Sequence, residues 1–508
     1  MEAKVYLVGA GPGDPGLITV RGKQCIENSD VIIYDYLASP ALLSFASQDS
    51  ELIYVGKKGG DHTLAQDKIN ELIVEKAKTG ATVCRLKGGD PFIFGRGGEE
   101  AEELVANAIP FEVVPGVTSA IAAAAYAGIP LTHRKLTATL AFITGHEDPH
   151  KKESNIDWES LAVGFGTLVF FMGVKNLADI TQKLIANGRS PETPVALVRW
   201  GTTPHQTTVT GTLGNISERV KQAGLKPPAI IVVGEVVQLR KTLKWFEKRP
   251  LLGKRIVVTR ARQQASELTR RLLGLGADCL EFPTIKVVAP KDLTPLDNAV
   301  QNLPNYDWIV FTSVNGVKFF FDHLFGKNKD VRALSHLHTA AIGPATADKL
   351  FDYGLKSDIV PQNYRAEAVV DAFRKISLTG KKILLPRAKE ARPILPVELR
   401  KMGAEVDEVT TYLTKKPLVN TDQLIKHLEE KTIDLVTFTS SSTAQNFKDL
   451  LPPEKAEKLI QGITFASIGP ITTETAIKLG FKVPITATTY TIPGLCESIV
   501  NHFGNDNK

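Results

Sequence analysis

Val5-Tyr6-Leu7-Val8-Gly9-Ala10-Gly11-Pro12-Gly13-Asp14-Pro15-Gly16 sets a short apolar run against a glycine-rich turn, and Leu17-Ile18-Thr19-Val20-Arg21-Gly22 follows it. Glycines at a strand end let a ligand or another segment approach the backbone closely. Gly9, Gly11 and Asp14 do not fit the spacing G-x-G-x-x-G, and Pro12 and Pro15 each remove a backbone donor that a phosphate would need. A dinucleotide-binding turn is therefore rejected. The same alternation of short β-branched runs with longer amphipathic stretches continues outward: VIIYD (31–35), LIYVG (52–56), TVCRLKGG (82–89), FEVVPG (111–116), LAFITG (140–145), TLVFFMG (167–173), VALVRW (195–200) and AIIVVGEVV (229–237). Strands alternating with helices specify an α/β fold. Several of these strands end in glycine, and in open α/β sheets ligands bind outside the carboxyl ends of strands, so the glycine-bearing ends point to one shared crevice.

At 508 residues the chain is long enough for about three or four domains. With 43% hydrophobic and 23% charged residues it can build packed cores. The net charge of +6 lies wholly in the second half, because residues 1–249 hold 27 basic and 27 acidic side chains. No basic block of five or six residues occurs and aromatics are 7%, which argues against nucleic acid and for a small polyanionic substrate. Cys25, Cys84, Cys279 and Cys496 form no metal-binding spacing, so no metal site is expected and reduced thiols in a cytoplasmic protein are. No apolar run approaches the roughly 20 residues needed to span a bilayer. KTLKWFEKRPLLGK (241–254) breaks the alternation and is followed by a fresh strand, Arg255-Ile256-Val257-Val258-Thr259, which places a domain boundary there.

Beyond that boundary the sequence repeats itself. Residues 254–260 match 381–387; Leu275-Gly276-Ala277 matches Met402-Gly403-Ala404; and Phe311-Thr312-Ser313 matches Phe438-Thr439-Ser440, all at an offset of 127. Ala341-Ile342-Gly343-Pro344 matches Ser467-Ile468-Gly469-Pro470 at 126. A period this long means a duplicated domain. It predicts two similar doubly wound lobes with a cleft between them, touched by Thr312, Ser313 and Thr346 on one side and by Thr439, Ser440 and Thr472 on the other. Hydroxyls near helix starts hold carboxylates well. They serve equally as helix N-caps, as do Thr118 and Ser119 in the first half, where Asp90 before Pro91 also fits a turn cap.

In the first half, the set GAGPGDPGLITVRG, YDYL, VGKKGG, LKGGDPFIFGRGGEE, VPGVTSAIAAAAYAGIPLTHR and PAIIVVGEVV resembles the tetrapyrrole C-methylases, and within them the uroporphyrinogen-III C-methyltransferases, over about residues 3–245. The resemblance implies two α/β subdomains with S-adenosylmethionine in the cleft between them. It carries cofactor roles to Pro12, Gly88, Gly89, Asp90, Ile93, Thr118, Ser119, Met172 and Gly201, a proton-acceptor role to Asp35 and a proton-donor role to Lys57. The substrate bears eight carboxylates, so Arg21, Lys57, Lys58, Arg96, His133 and Arg134 are candidates to pair with them. Homodimerisation through this half is also implied.

In the second half, FTSVNGVKFF, AIGPATADKL, LLPRA, VTTYLTKKP, FTSSSTAQNF and ASIGPITTETAIKLG resemble the uroporphyrinogen-III synthases over roughly 253–503. These enzymes close the linear tetrapyrrole hydroxymethylbilane with inversion of its last ring. The resemblance implies that the chain crosses between lobes twice, so that about 254–285 joins 415–503 and 290–410 forms the other lobe, with linkers near 285–288 and 411–414. Tyr412 matches the family's recurrent tyrosine and is a candidate general acid. Arg260 and Arg387, equivalent under the offset, are candidate carboxylate clamps. Together the halves predict an enzyme whose second half makes uroporphyrinogen III and whose first half, over 1–245, methylates it to precorrin-2. A methylase for a later precorrin joined to a noncatalytic tetrapyrrole-binding module is the alternative.

Overall fold

Alternate residues of the first strand point to opposite faces, and both faces are apolar. Val5 and Leu7 pack with Ile33, Ile73 and Leu104, whereas Val8 packs with Ile26, Ile32 and Leu86. A strand buried on both sides belongs in a parallel sheet covered by helices. The computed structural model of the protein describes residues 4–56, 64–146, 155–259, 262–282, 284, 286–415 and 421–505. The chain divides into two compact units, Met1–Lys254 with Leu275–Asp278, and Arg255–Gly274 with Cys279–Lys508.

The first unit holds two five-stranded sheets. One is wholly parallel, from β1 (Val5–Gly9), β2 (Val31–Tyr34), β3 (Glu51–Tyr54), β4 (Val83–Lys87) and β5 (Phe111–Val114), in the order β3-β2-β4-β1-β5. The other comprises β6 (Leu140–Thr144), β7 (Thr167–Phe171), β8 (Pro194–Arg199), β9 (Thr207–Thr212) and β10 (Ala229–Val233), in the order β6-β7-β10-β8-β9. It is mixed: β6 and β7 are parallel, while β10 runs antiparallel to both its neighbours and β9 antiparallel to β8. Strand β9, Thr-Thr-Val-Thr-Gly-Thr, has no counterpart among the strand runs read from the sequence. It is an edge strand with no fully buried residue, so it lacks the apolar signal that marks the others.

The second unit also holds two sheets. The first contains β11 (Arg255–Val258), β12 (Asp278–Glu281), β18 (Leu435–Phe438), β19 (Thr464–Ser467) and β20 (Ile485–Thr486), in the order β12-β11-β18-β19-β20. The second contains β13 (Lys286–Val288), β14 (Trp308–Phe311), β15 (His338–Ala341), β16 (Lys382–Ala388) and β17 (Glu405–Lys415), in the order β13-β17-β16-β14-β15. Under the sequence repeat β11, β12, β14 and β15 correspond to β16, β17, β18 and β19. Each sheet therefore joins the first half of one copy to the second half of the other: β11 pairs with β18, and β14 with β16. A repeat by itself does not say which copy's strands share a sheet; here the copies have exchanged halves. Of the segments 285–288 and 411–414, expected as linkers, residues 286–288 and 411–414 lie in paired strands, Val287 opposite Thr414 and Val288 opposite Leu413. Strand β14 shows why the sheet is covered on both faces: Ile309 and Phe311 pack with Phe320 and Leu324, Trp308 and Val310 with Val369 and Phe373.

Candidate functional site

Three strand ends of the parallel sheet meet so closely that only glycine fits. A Cβ on Gly9 would lie 2.5 Å from Gly116 Cα and 2.7 Å from Gly89 O. The amide of Gly89 donates to Gly11 O at 2.7 Å and that of Gly11 to Gly89 O at 3.2 Å. The glycines of the opening motif thus lock β1, β4 and β5 together at their carboxyl ends. Asp90 completes the joint: its carboxylate accepts from the amides of Phe92 (2.8 Å) and Gly116 (3.0 Å). Each of its oxygens thus braces the loop through one amide, as a turn cap does.

A cavity of about 480 Å3 opens beside this joint, walled by both sheets of the unit. Pro12, Gly88, Gly89, Asp90, Ile93, Thr118, Ser119, Met172 and Gly201 all line it, and so does Asp35. Gly201 lets its loop rest on the alanine-rich helix Ser119–Tyr126, since a Cβ there would lie 2.9 Å from Ala123 Cα. Thr118 holds the N-cap position of that helix, yet its side chain accepts no capping hydrogen bond. Phe94, Arg96, Met172 and Trp200 line the cavity with φ between 48° and 60°, a region that costs non-glycine residues about 1–3 kcal/mol each. Strained backbone gathered around one cavity marks a built site, and no sequence pattern announces it.

Beneath Asp35 lies a buried charge network that the motifs did not single out. Asp35 Oδ1 accepts from the amide of Leu37 at 3.0 Å, and Oδ2 from Arg85 at 3.1 Å. Arg85, 3% exposed in the central strand β4, also donates to Glu100 Oε1 (3.2 Å) and to the carbonyl of Leu86 (3.0 Å). Lys87 donates to the same Glu100 oxygen at 2.6 Å and Gln66 at 3.1 Å. Burial first, then the Arg85 charge, lowers the Lys87 ammonium below its usual value. Arg85, Lys87 and Gln66 all line the cavity. Two charges within the central strand of a parallel sheet were the available sequence signal, because such strands are ordinarily apolar throughout.

Arg21, expected to hold substrate carboxylates, is elsewhere. Its guanidinium takes Glu112 through two bonds of 2.8 and 2.9 Å, and Lys4 joins the same carboxylate at 2.8 Å. Arg96 lines the cavity but is paired with Glu99. Lys57, Lys58 and Arg260 lie outside the described residues.

In the second unit, Tyr412 on β17 is 8% exposed, stacks on Phe319 with ring centroids 5.8 Å apart, and meets Ser313 Oγ at 3.0 Å. Burial pushes its phenol above the usual value, so it holds its proton at neutral pH. Ser313 also caps the helix Val314–Gly326 through the amide of Gly316, and Ser440 caps Ser441–Leu450 through that of Thr443. Both serines thus serve as N-caps. Thr312 and Thr439 are half-buried at the ends of β14 and β18. Thr346 and Thr472 are buried at the third positions of the helices Pro344–Phe351 and Pro470–Lys478. Arg387 is no free clamp: its guanidinium donates to Glu408 at 3.2 Å and to the carbonyl of Arg392 at 2.5 Å.

Residues 4–217 match the family described as tetrapyrrole (corrin/porphyrin) methylases, and residues 266–497 the family described as uroporphyrinogen-III synthase HemD. A porphyrin biosynthesis protein HemD of Ruminiclostridium josui is 38% identical over 502 residues, 99% of this chain and 98% of that relative. A uroporphyrinogen-III C-methyltransferase of Priestia megaterium is 56% identical over 234 residues, 46% of this chain and 98% of its own. An S-adenosyl-L-methionine-dependent uroporphyrinogen III methyltransferase of Methanosarcina barkeri is 54% identical over 240 residues, 47% of this chain and 94% of its own.

Proposed function

The chain belongs to the family of the porphyrin biosynthesis protein HemD, with a uroporphyrinogen-III C-methyltransferase and a uroporphyrinogen-III synthase in one polypeptide, and on that premise we propose that the two halves act in reverse chain order. The second half closes hydroxymethylbilane with inversion of ring D. The first half then methylates uroporphyrinogen III at C2 and C7 to give precorrin-2. The observation that carries the methylase reading is the gathering of nine cofactor positions and Asp35 around one cavity.

The cavity suits S-adenosylmethionine. Its glycine-walled strand ends expose main-chain groups, and the hydroxyl of Thr118 accepts no capping bond. Pro12, the 88–90 run, Ile93, Thr118, Ser119, Met172 and Gly201 would hold it. When bound, S-adenosylmethionine would supply an electrophilic methyl group, its S–CH3 bond breaking so that the neutral thioether S-adenosylhomocysteine leaves. Forming a C–C bond at a pyrrole carbon leaves one positive charge on the macrocycle, and loss of a proton discharges it. Asp35 is the acceptor, held in place by the Leu37 amide and Arg85. Lys57 is the proton donor of the same reading.

In the synthase half, Tyr412 donates its proton to the departing hydroxyl of hydroxymethylbilane, which leaves as water. The C–O electron pair goes with it, and the cation stays on the bilane until ring D attacks. The phenol, buried beside Phe319 and 3.0 Å from Ser313 Oγ, is the group that would donate. We place the protein in the cytoplasm as a homodimer joined through its methylase half; no helix among the described residues is long and apolar enough to cross a membrane.

Incubation of the full chain with hydroxymethylbilane and S-adenosylmethionine tests both halves. A dimethylated type-III product supports the proposal. Type-I products alone sink the synthase claim, and an unmethylated type-III ring sinks the methylase claim.

A further inference from the structure

Two adjacent parallel strands end side by side in each lobe of the second unit: β14 beside β15, with Phe311 opposite Ala341, and β18 beside β19, with Phe438 opposite Ser467. Each second strand runs into Gly-Pro, Gly343-Pro344 in one lobe and Gly469-Pro470 in the other, at the repeat offset of 126. Over each of these glycines stands a tyrosine. A Cβ on Gly343 would lie 3.0 Å from Tyr364 Cδ1, and one on Gly469 would lie 3.2 Å from Tyr490 Cδ1.

Tyr364 and Tyr490 are separated by the same 126 residues, although their neighbours differ: Gln362-Asn363-Tyr364-Arg365 against Thr488-Thr489-Tyr490-Thr491. The backbone around them nevertheless folds alike. The amide of Arg365 donates to Asn363 O at 2.9 Å and that of Thr491 to Thr489 O at 2.7 Å, a three-residue turn with tyrosine at each apex. Each ring rests on a glycine yet stays open to solvent, 44% exposed for Tyr364 and 55% for Tyr490. Core packing does not account for rings so exposed, and the turn and the glycine hold them in place before any ligand arrives. A tyrosine so held offers a flat apolar surface at small entropic cost.

The substrate class of this half carries flat pyrrole rings on a flexible chain. We propose that Tyr364 and Tyr490 are substrate-positioning residues of the synthase half, matched platforms on which two pyrroles of the linear tetrapyrrole stack so that the chain is curled before it closes. The inference rests on the ring-closing reading of this half and adds to it the residues that set the substrate's shape.

The test is steady-state ring closure by the full chain with hydroxymethylbilane, with KM, kcat and the ratio of type-III to type-I product read for Tyr364→Ala, Tyr490→Ala, Tyr364→Phe and Tyr490→Phe. Loss of one aromatic stack is expected to raise KM roughly three- to ten-fold and to increase type-I product, with kcat changed less. The phenylalanine variants keep the ring and should stay within about twofold of wild type. If an alanine variant melts early, the leucine exchange replaces it, keeping bulk over the glycine without an aromatic face. Folded alanine or leucine variants with unchanged KM and isomer ratio overturn the proposal, as do phenylalanine variants as damaged as alanine ones. A wild-type chain that yields only type-I product overturns the ring-closing reading itself, and this inference with it.

Discussion

Removing Glu100 gives the sharpest test of the buried network under the methylase cavity. Its side chain is fully buried, and one oxygen, Oε1, accepts from Lys87 at 2.6 Å, Gln66 at 3.1 Å and Arg85 at 3.2 Å. Glu100→Ala leaves two buried cations with Asp35 as their remaining counter-charge. Breaking a buried pair from one side costs about 3–5 kcal/mol. Lys87 softens the loss, because burial lowers its ammonium below the usual value and makes shedding the proton less costly, so the lower end, about 3 kcal/mol, is expected. For a unit of this size that is a fall in melting temperature of roughly 6–12 °C. Calorimetry of the full chain reads it in the transition that added S-adenosylmethionine raises, since a ligand stabilises the unit that binds it. The pair Lys87→Met with Glu100→Leu should recover more than half of the loss, because both charges then leave together. A shift under about 2 °C for Glu100→Ala would refute the claim that this carboxylate balances Arg85 and Lys87.

Asp35→Asn should lower methylation kcat roughly a hundredfold or more while ring closure continues, and Tyr412→Phe should do the reverse; loss of both activities in either variant would mean misfolding. Gly201→Ala sets a methyl against Ala123 in the helix under the cavity, and calorimetric titration should find S-adenosylmethionine binding weakened roughly tenfold. Glu112 is held down to about 2, chiefly by the Arg21 hydrogen bond and then that of Lys4. A depressed carboxyl adds stability that is complete above its unfolded value, about 4.3, and is lost as pH falls towards 2. Stability measured by denaturant between pH 5 and 2 should therefore fall less steeply for Glu112→Gln than for wild type; parallel curves would contradict the pairing.

Much of the chemistry was legible in local strings. A glycine that must sit where a strand ends, as at Gly9 or Gly89, is visible as a glycine, and the 127-residue repeat is visible as a repeat. Strand β9 was not, because a threonine-rich edge strand shows no apolar alternation. Nor were the partners of single charges. Arg21, a candidate partner for substrate carboxylates, is held by Glu112, 91 residues away, and Arg387, a candidate clamp, by Glu408, 21 residues away. Asp35 stood out by its motif, whereas Arg85, Lys87 and Glu100 became one network only when β4 was set beside β2 and the helix Gly97–Ala106 was laid against them.

What the sequence determined by itself, then, was the α/β class, the strand-end motifs and the duplication, because each is written in residues near one another along the chain. The register between strands far apart in the chain, which hydroxyl caps its helix and which carboxylate neutralises which cation were decided only in the tertiary structure. Pairing across some 180 residues, as between Ile256 and Leu435, depends on which buried faces and charges meet in space, and spacing along the chain does not encode that.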